Sequence, residues 1–345
     1  MNSIPANPIL VEKYRNSTLE SFHRGSICIL NSEGDIKFTA GNPNQMVFPR
    51  SALKFIQQVP LIEDGVHDHF NLSEEEIAIT CGSHNGEQYH CNLVRSILHK
   101  IGLQEENLHC GAQPPTLKND RHQLIKNDQK PLPIHNNCSG KHAGFLAQSL
   151  FHGFSTNDYI AKDHALQQKI KELVAELHEL PASEMDTGLD GCSAPIFSMP
   201  LFNMTLGFKN FLFPENISDP SRKEACKVLH RIARDNPYLI AGTNRYCTDI
   251  MKASGGRVIA KTGADGIFIL GCPEQRWIAG VKIDDGLMGP QYAVAQAIIN
   301  QADLLTKEQK QEIDQYQERA LKTWSGANCG LLKFNGDILA DLNLD

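Results

Sequence analysis

The chain has 345 residues, 41% hydrophobic and 21% charged, which is enough apolar material for one large domain or two of middle size. Its formal net charge is −7 and no long basic run occurs, which argues against a nucleic-acid partner. No apolar run approaches the roughly 18 residues that span a bilayer, so no membrane role is expected.

The opening stretch, "MNSIPANPILVEKYRNSTLESF", has no basic start followed by an apolar core, so no export signal is expected. The ten cysteines are then expected to be reduced, in the cytoplasm. Residues 26–30 and 36–40 flank a short polar loop with Gly34 and read as a β-hairpin. Ala52, Leu53, Ile56 and Val59 recur at helical spacing until Pro60 interrupts. Residues 73–102 are helix-like, broken by "CGSHNGE", and residues 111–142, rich in Pro, Asn and Gly, read as a long irregular loop. Leu166, Ile170, Leu173, Val174 and Leu177 share one face of a helix, with Ser155, Thr156 and Asn157 expected as its cap. Near the end, "RVIAK", "GIFILG" and "WIAGVKI" read as an antiparallel meander. Helices over 292–305 and 307–324 and a last strand, "GLLKF", complete the chain. The expected fold is α/β (α+β) and forms one discontinuous catalytic unit over 1–345. Residues 1–50 and 250–345 give an antiparallel sheet with flanking helices, and 51–249 a mostly helical region with active-site loops.

Ser51 and Lys54, in "FPRSALKFIQ", stand one helical turn apart on a shared face. A neutral lysine amine there accepts the serine proton and leaves a nucleophile; making a free lysine neutral near pH 7 costs about 4 kcal/mol. The bland alternative is an N-cap serine followed by a solvated lysine. The pair is followed in order by Ser83-His84-Asn85 and by Lys261-Thr262-Gly263 at a strand end. S-x-x-K, S-x-N and K-T-G in that order mark the serine β-lactamases and penicillin-binding proteins. A second S-x-N, at 155–157, is assigned to helix capping. In this reading Ser51 attacks a carbonyl and Lys54 takes its proton. Lys261 supplies fixed positive charge and Ser83 shuttles a proton. Backbone N–H groups near Ser51 and 261–263 hold the oxyanion, worth roughly 3 kcal/mol.

A second cluster is foreign to penicillin-type enzymes. "NNCSGKHAGF" offers Cys138, Lys141 and His142, and "GLDGCSAP" offers Asp190 and Cys192. Two thiolates from two loops plus a third donor suit zinc, although the usual paired-cysteine spacing is absent. Two inert buried thiols or a disulfide are the alternatives.

Over nearly its whole length the chain resembles the Rhizobium-type L-asparaginases, the third structural class of asparaginase. The blocks "VEKYRNSTLESFHRGSICI", "FPRSALKFIQ", "ITCGSHNGE", "HNNCSGKHAGFL", "GLDGCSAPIFSMPL" and "VIAKTGADGIF" carry the resemblance. It implies a serine-β-lactamase-like fold, a homodimer, and hydrolysis of L-asparagine to L-aspartate and ammonia. It implies two Ser–Lys tandems, Ser51 with Lys54 and Ser83 with Lys261. It also implies a zinc ion (Zn2+) on Cys138, Lys141 and Cys192, with Asp190 helping to hold the substrate. Arg50 is a candidate for the substrate α-carboxylate, Glu87 and Asp190 for the α-ammonium, and His142 for the pocket lining. The competing readings are a β-lactamase or peptidase, resting on the three motifs alone, and a non-catalytic amide-binding or metal-sensing protein on a hydrolase-like fold.

Overall fold

The chain enters as β1 (Ile9–Arg15), turns at Asn16, whose φ of 52° is left-handed, and returns as the long β2 (Thr18–Asn31). The first half of β2 is largely exposed, whereas Gly25 to Leu30 are buried without a break. A strand covered on one face alternates, and one covered on both faces reads as a continuous apolar run. The pairing follows this division. Residues 18–24 pair with β1, and residues 25–31 lie between β3 (Ile36–Ala40) and a strand from the far end of the chain.

In this computed structural model residues 6–344 are described, and they form two units. The sheet unit runs up to Ala52, takes in Met199–Lys209, and resumes at Asp249. Its C-terminal strands are β4 (Ile259–Thr262), β5 (Ile267–Cys272), β6 (Trp277–Ile283), β7 (Glu318–Lys322) and β8 (Asn328–Phe334). The order is β7-β8-β1-β2-β6-β5-β4, with β3 also on β2, and every pairing is antiparallel. Thr262, Phe268 and Val281 stand side by side on one face. There Phe268 meets Tyr292 of the helix Met288–Gln301 edge-on at 5.7 Å, and Gln291 Nε2 donates to Thr262 Oγ1 at 2.7 Å. Lys261, Ile269 and Gly280 stand on the opposite face. A side chain at 280 would meet Thr205 Oγ1 at 2.2 Å, so the helix begun at Leu201 covers that face.

Within the mostly helical stretch 51–249, one segment packs with the sheet. Met199–Lys209 belongs with the sheet, because Met199–Pro200 pairs with Met46–Val47 and the following helical turns lie on Gly280.

The helical unit comprises Leu53–Ser198 and Asn210–Thr248. Its longer helices are α1 (Glu74–Cys81), α2 (Gln88–Lys100), α3 (Lys118–Lys126), α4 (Ser139–Phe151), α5 (Ala165–Leu177) and α6 (Pro220–Asp235). A capping box between Ser73 and Glu76 starts α1. Asp219 caps α6, with Pro220 at its first position. At the centre lies α4, buried from Ser139 through Ser149. It crosses α1 at Gly140, where a Cβ would stand 2.2 Å from the Ile79 carbonyl oxygen.

Three local expectations are revised. Residues 111–142 contain α3, a helix none of whose residues is buried. The cap of α5 is His164, whose Nδ1 accepts from Leu166 N at 3.2 Å; Ser155 instead accepts from Asn157 N in a turn of its own. The helix expected over 307–324 stops at Ile313, and Glu318–Lys322 becomes β7, paired with β8 around the turn Thr323–Gly326.

Candidate active site

In the sheet unit, Ser51 lies half-buried in a single 3-10 turn, Arg50–Leu53. Arg50 takes φ 53°, a left-handed conformation that costs on the order of 1–3 kcal/mol in a residue with a side chain. Its guanidinium is ion-paired with Asp265. At Gly263 a Cβ would stand 2.5 Å from the Pro49 carbonyl oxygen. Only glycine allows this approach, so the end of the K-T-G strand lies against the segment that delivers Ser51. Lys261 is fully buried on β4 and faces away from the helix that holds Thr262. This unit therefore brings together Arg50, Ser51 and the Lys261-Thr262-Gly263 strand end.

In the helical unit, Lys54 is fully buried, and its amine donates to two carbonyl oxygens, Gly82 at 2.6 Å and Asn137 at 3.0 Å. Gly82 precedes Ser83, and Asn137 precedes Cys138, so a single amine fastens both motif loops. Ser83 is buried, and its backbone N–H donates to Ile240 O at 2.8 Å. The adjacent His84 reinforces the same junction. Its Nδ1 accepts from Gly86 N at 3.1 Å, which leaves the proton on Nε2, 3.0 Å from Ser139 Oγ at the start of α4.

The second cluster converges in the same unit. One ligand atom each from Cys138, Asp190 and Cys192 lies within 4.8 Å of the others. The Lys141 amine, fully buried, donates to Cys192 Sγ at 3.2 Å, and Asp190 Oδ2 lies 3.4 Å from the same sulfur. Cys138 and Cys192 are both unbridged thiols, so no disulfide joins them. The two thiols share one easily lost proton. A hydrogen bond from Cys138, against the cost of burial and with help from Lys141, draws Cys192 down to about 6. The same bond, with burial, pushes Cys138 above the ordinary thiol range. For Lys141, burial opposes the charge, but the sulfurs of Cys192 and Cys138 and the Asp190 carboxylate outweigh it and raise the ammonium's pKa. Two sulfurs with one proton between them, beside an oxygen donor and an amine, fit a thiophilic divalent ion such as zinc.

His142, the next residue on α4, is fully buried. Its Nδ1 lies 2.8 Å from the Tyr159 hydroxyl, and its Nε2 has no hydrogen-bond partner among the described residues. Burial, then the Lys141 charge, holds it neutral by pushing its pKa well down. Glu87 stands apart from the sulfurs in its bonding. Its carboxylate accepts from Thr243 N, Thr243 Oγ1, Asn85 Nδ2 and Tyr238 OH, which stitch the Ser83 loop to residues 238–243.

Sequence reasoning passed over Asn137, Tyr159, and His84 as a holding residue. Asn137 carries a legible signal, since it adjoins Cys138 in a polar loop. Tyr159 carries none, because its hydroxyl reaches His142 and His109 N only through the tertiary fold.

No curated protein matches this sequence. Solved structures similar to it include a β-lactamase from Mycobacterium bovis, 12% identical, covering 82% of this chain and 95% of its own, with a TM-score of 0.43. A candidate β-lactamase from Bacteroides dorei DSM 17855 is also 12% identical, covering 80% and 93%, with a TM-score of 0.44. The family model described as L-asparaginase II matches residues 11–334, which span both units and every candidate site residue. The chain belongs to the L-asparaginase II family.

Proposed function

We propose that this protein is an L-asparaginase of the Rhizobium-type class, hydrolysing L-asparagine to L-aspartate and ammonia by Ser–Lys nucleophilic catalysis beside zinc. The observation that carries the reading is the buried Lys54 amine, three residues after Ser51 and bonded to the carbonyls that precede Ser83 and Cys138. A neutral amine has two N–H groups, and two carbonyls accept them. Its lone pair then serves the Ser51 proton.

Ser51 Oγ attacks the carboxamide carbon while its proton passes to Lys54. The tetrahedral adduct collapses with cleavage of the C–N bond, and the proton leaves with nitrogen as ammonia. Water then attacks the resulting ester, aspartate departs, and Ser51 regains its proton. Ser83 and Lys261 form the second tandem and relay protons to the leaving nitrogen. Arg50 binds the α-carboxylate, while Asp190 takes the α-ammonium and His142 lines the pocket. Cys138, Cys192 and Lys141 would hold the zinc ion, which when bound supplies positive charge beside the reacting groups. The resemblance also makes a homodimer part of this proposal. Ammonia release from L-asparagine by the pure protein tests the reading, with Ser51→Ala expected to lose at least about a thousandfold in kcat. Full activity in Ser51→Ala, in Ser83→Ala and in the double variant would sink the mechanism.

A further inference from the structure

A separate cavity of about 260 Å³ opens in the helical unit, between the start of α2 and α3. Its polar lining comprises the carboxamides of Gln88, Gln123, Asn127 and Gln129 together with Asp120 and His135. Among the described residues no lysine or arginine lines it. Asp120 is the anomaly. Asp120 is half-buried, and its Oδ2 receives no hydrogen bond among the described residues, although a carboxylate oxygen turned away from bulk water ordinarily finds a donor. Burial raises its pKa, and the nearby Glu87 charge adds to that. Glu87 has its donors within the protein, whereas Asp120 Oδ2 has none among the described residues.

We propose that this cavity binds a small aliphatic amine of net positive charge, its ammonium on Asp120 and its remaining polar atoms on the carboxamides. An ammonium supplies the donor that Asp120 lacks and neutralises the pair of neighbouring carboxylates. The absence of lining cations disfavours a zwitterionic amino acid, whose carboxylate would have no charged partner. The volume suits a chain of a few carbons. The cavity also adjoins the Ser83 loop. Gly86 is part of its wall, Thr116 N donates to Asn85 O at 2.8 Å, and the Cys91 thiol, another lining group, donates to Gly86 O at 3.6 Å. An occupant therefore bears on the loop that presents Ser83, a consequence that rests on the asparaginase reading; the binding itself does not.

Calorimetry with 1,4-diaminobutane on the full chain tests the site. Binding is expected to weaken at least about tenfold in Asp120→Asn, the loss of one charge-assisted bond, and to weaken also in Asn127→Ala. Both variants are expected to keep the wild-type melting temperature, since Asp120 Oδ2 makes no hydrogen bond among the described residues and Asn127 is exposed. Absence of binding at millimolar diamine, or equal binding by wild type and Asp120→Asn, overturns the proposal. Equal binding of L-asparagine at this site in a Ser51→Ala background would overturn the charge selectivity. Diamine binding by a protein that releases no ammonia from asparagine would leave the site standing and remove the asparaginase reading alone.

Discussion

Replacing Lys141 by methionine keeps the length of the side chain and removes its charge. In the wild type the amine donates to Cys192 Sγ at 3.2 Å with both groups buried. A hydrogen bond to a charged group is worth about 1.5–3 kcal/mol, and 1.36 kcal/mol corresponds to one pKa unit. Cys192 titrates at about 6. Losing the Lys141 contribution should move that midpoint up to between about 7 and 8. It should not return to the ordinary thiol value, because the larger influence, the hydrogen bond from Cys138, remains. Thiolate absorbance in the ultraviolet, followed against pH on zinc-free protein, reads the midpoint directly. Cys138→Ala, analysed in parallel, should move it further. An unchanged midpoint in Lys141→Met would refute the ion pair. The variant also separates two roles for the amine. A ligand must give up its proton to offer a lone pair, so loss of Lys141 as a ligand weakens zinc binding at every pH. A counter-cation competes with the metal, so its loss strengthens binding. Zinc content of the wild type should decline as pH falls below neutrality, and a flat profile would exclude the amine as a ligand.

Other substitutions probe the frame and the substrate contacts. Burial pushes His178 down to about 4, so its neutral form contributes stability that is complete above about 6.5 and is lost as pH falls towards 4; His178→Gln should flatten the urea-unfolding profile across that window by about 3 kcal/mol. Parallel profiles for variant and wild type would dismiss that contribution. Gly140→Ala places a methyl 2.2 Å from Ile79 O and should cost about 2–3 kcal/mol, seen as a lowered melting temperature; an unaltered melting temperature would mean that α1 and α4 yield freely. On the proposed reading, Arg50→Ala should raise KM for asparagine tenfold or more by removing the fork assigned to the α-carboxylate. A wild-type KM would leave Arg50 with its ion pair to Asp265 and no part in substrate binding.

Much of the frame is legible because it is local. The meander β4–β6 is announced by short apolar runs between glycines, and α5 by its apolar face. What was misread follows from signals that the periodicity does not carry. The helix α3 buries no residue, so it has no apolar stripe to display and depends on the helix propensities of its lysine, arginine and glutamine residues. The helix over 307–324 fails because Glu318–Lys322 gains a partner in Asn328–Phe334. Half of its charged exterior is the solvent side of an edge strand, which mimics the polar side of a helix. The strands β1 and β8, some 320 residues apart, pair through a register that neither segment encodes alone.

The candidate site was picked out through chemistry where pattern offered nothing. Cys138 and Cys192 lie 54 residues apart with no metal-binding spacing, yet the fold brings their sulfurs together with Asp190. The lysines make the same point from the other side. Lys54, Lys141 and Lys261 sit among the largest fully buried side chains, positions where a long cation is costly unless its amine is engaged. An amphipathic pattern treats each as an error on an apolar face. Lys54 takes two backbone carbonyls and Lys141 a sulfur, so for these two the departure from the pattern is what marks them as candidates. A lysine introduced elsewhere in the same core, with no carbonyl or sulfur to receive it, would unfold the unit rather than arm it.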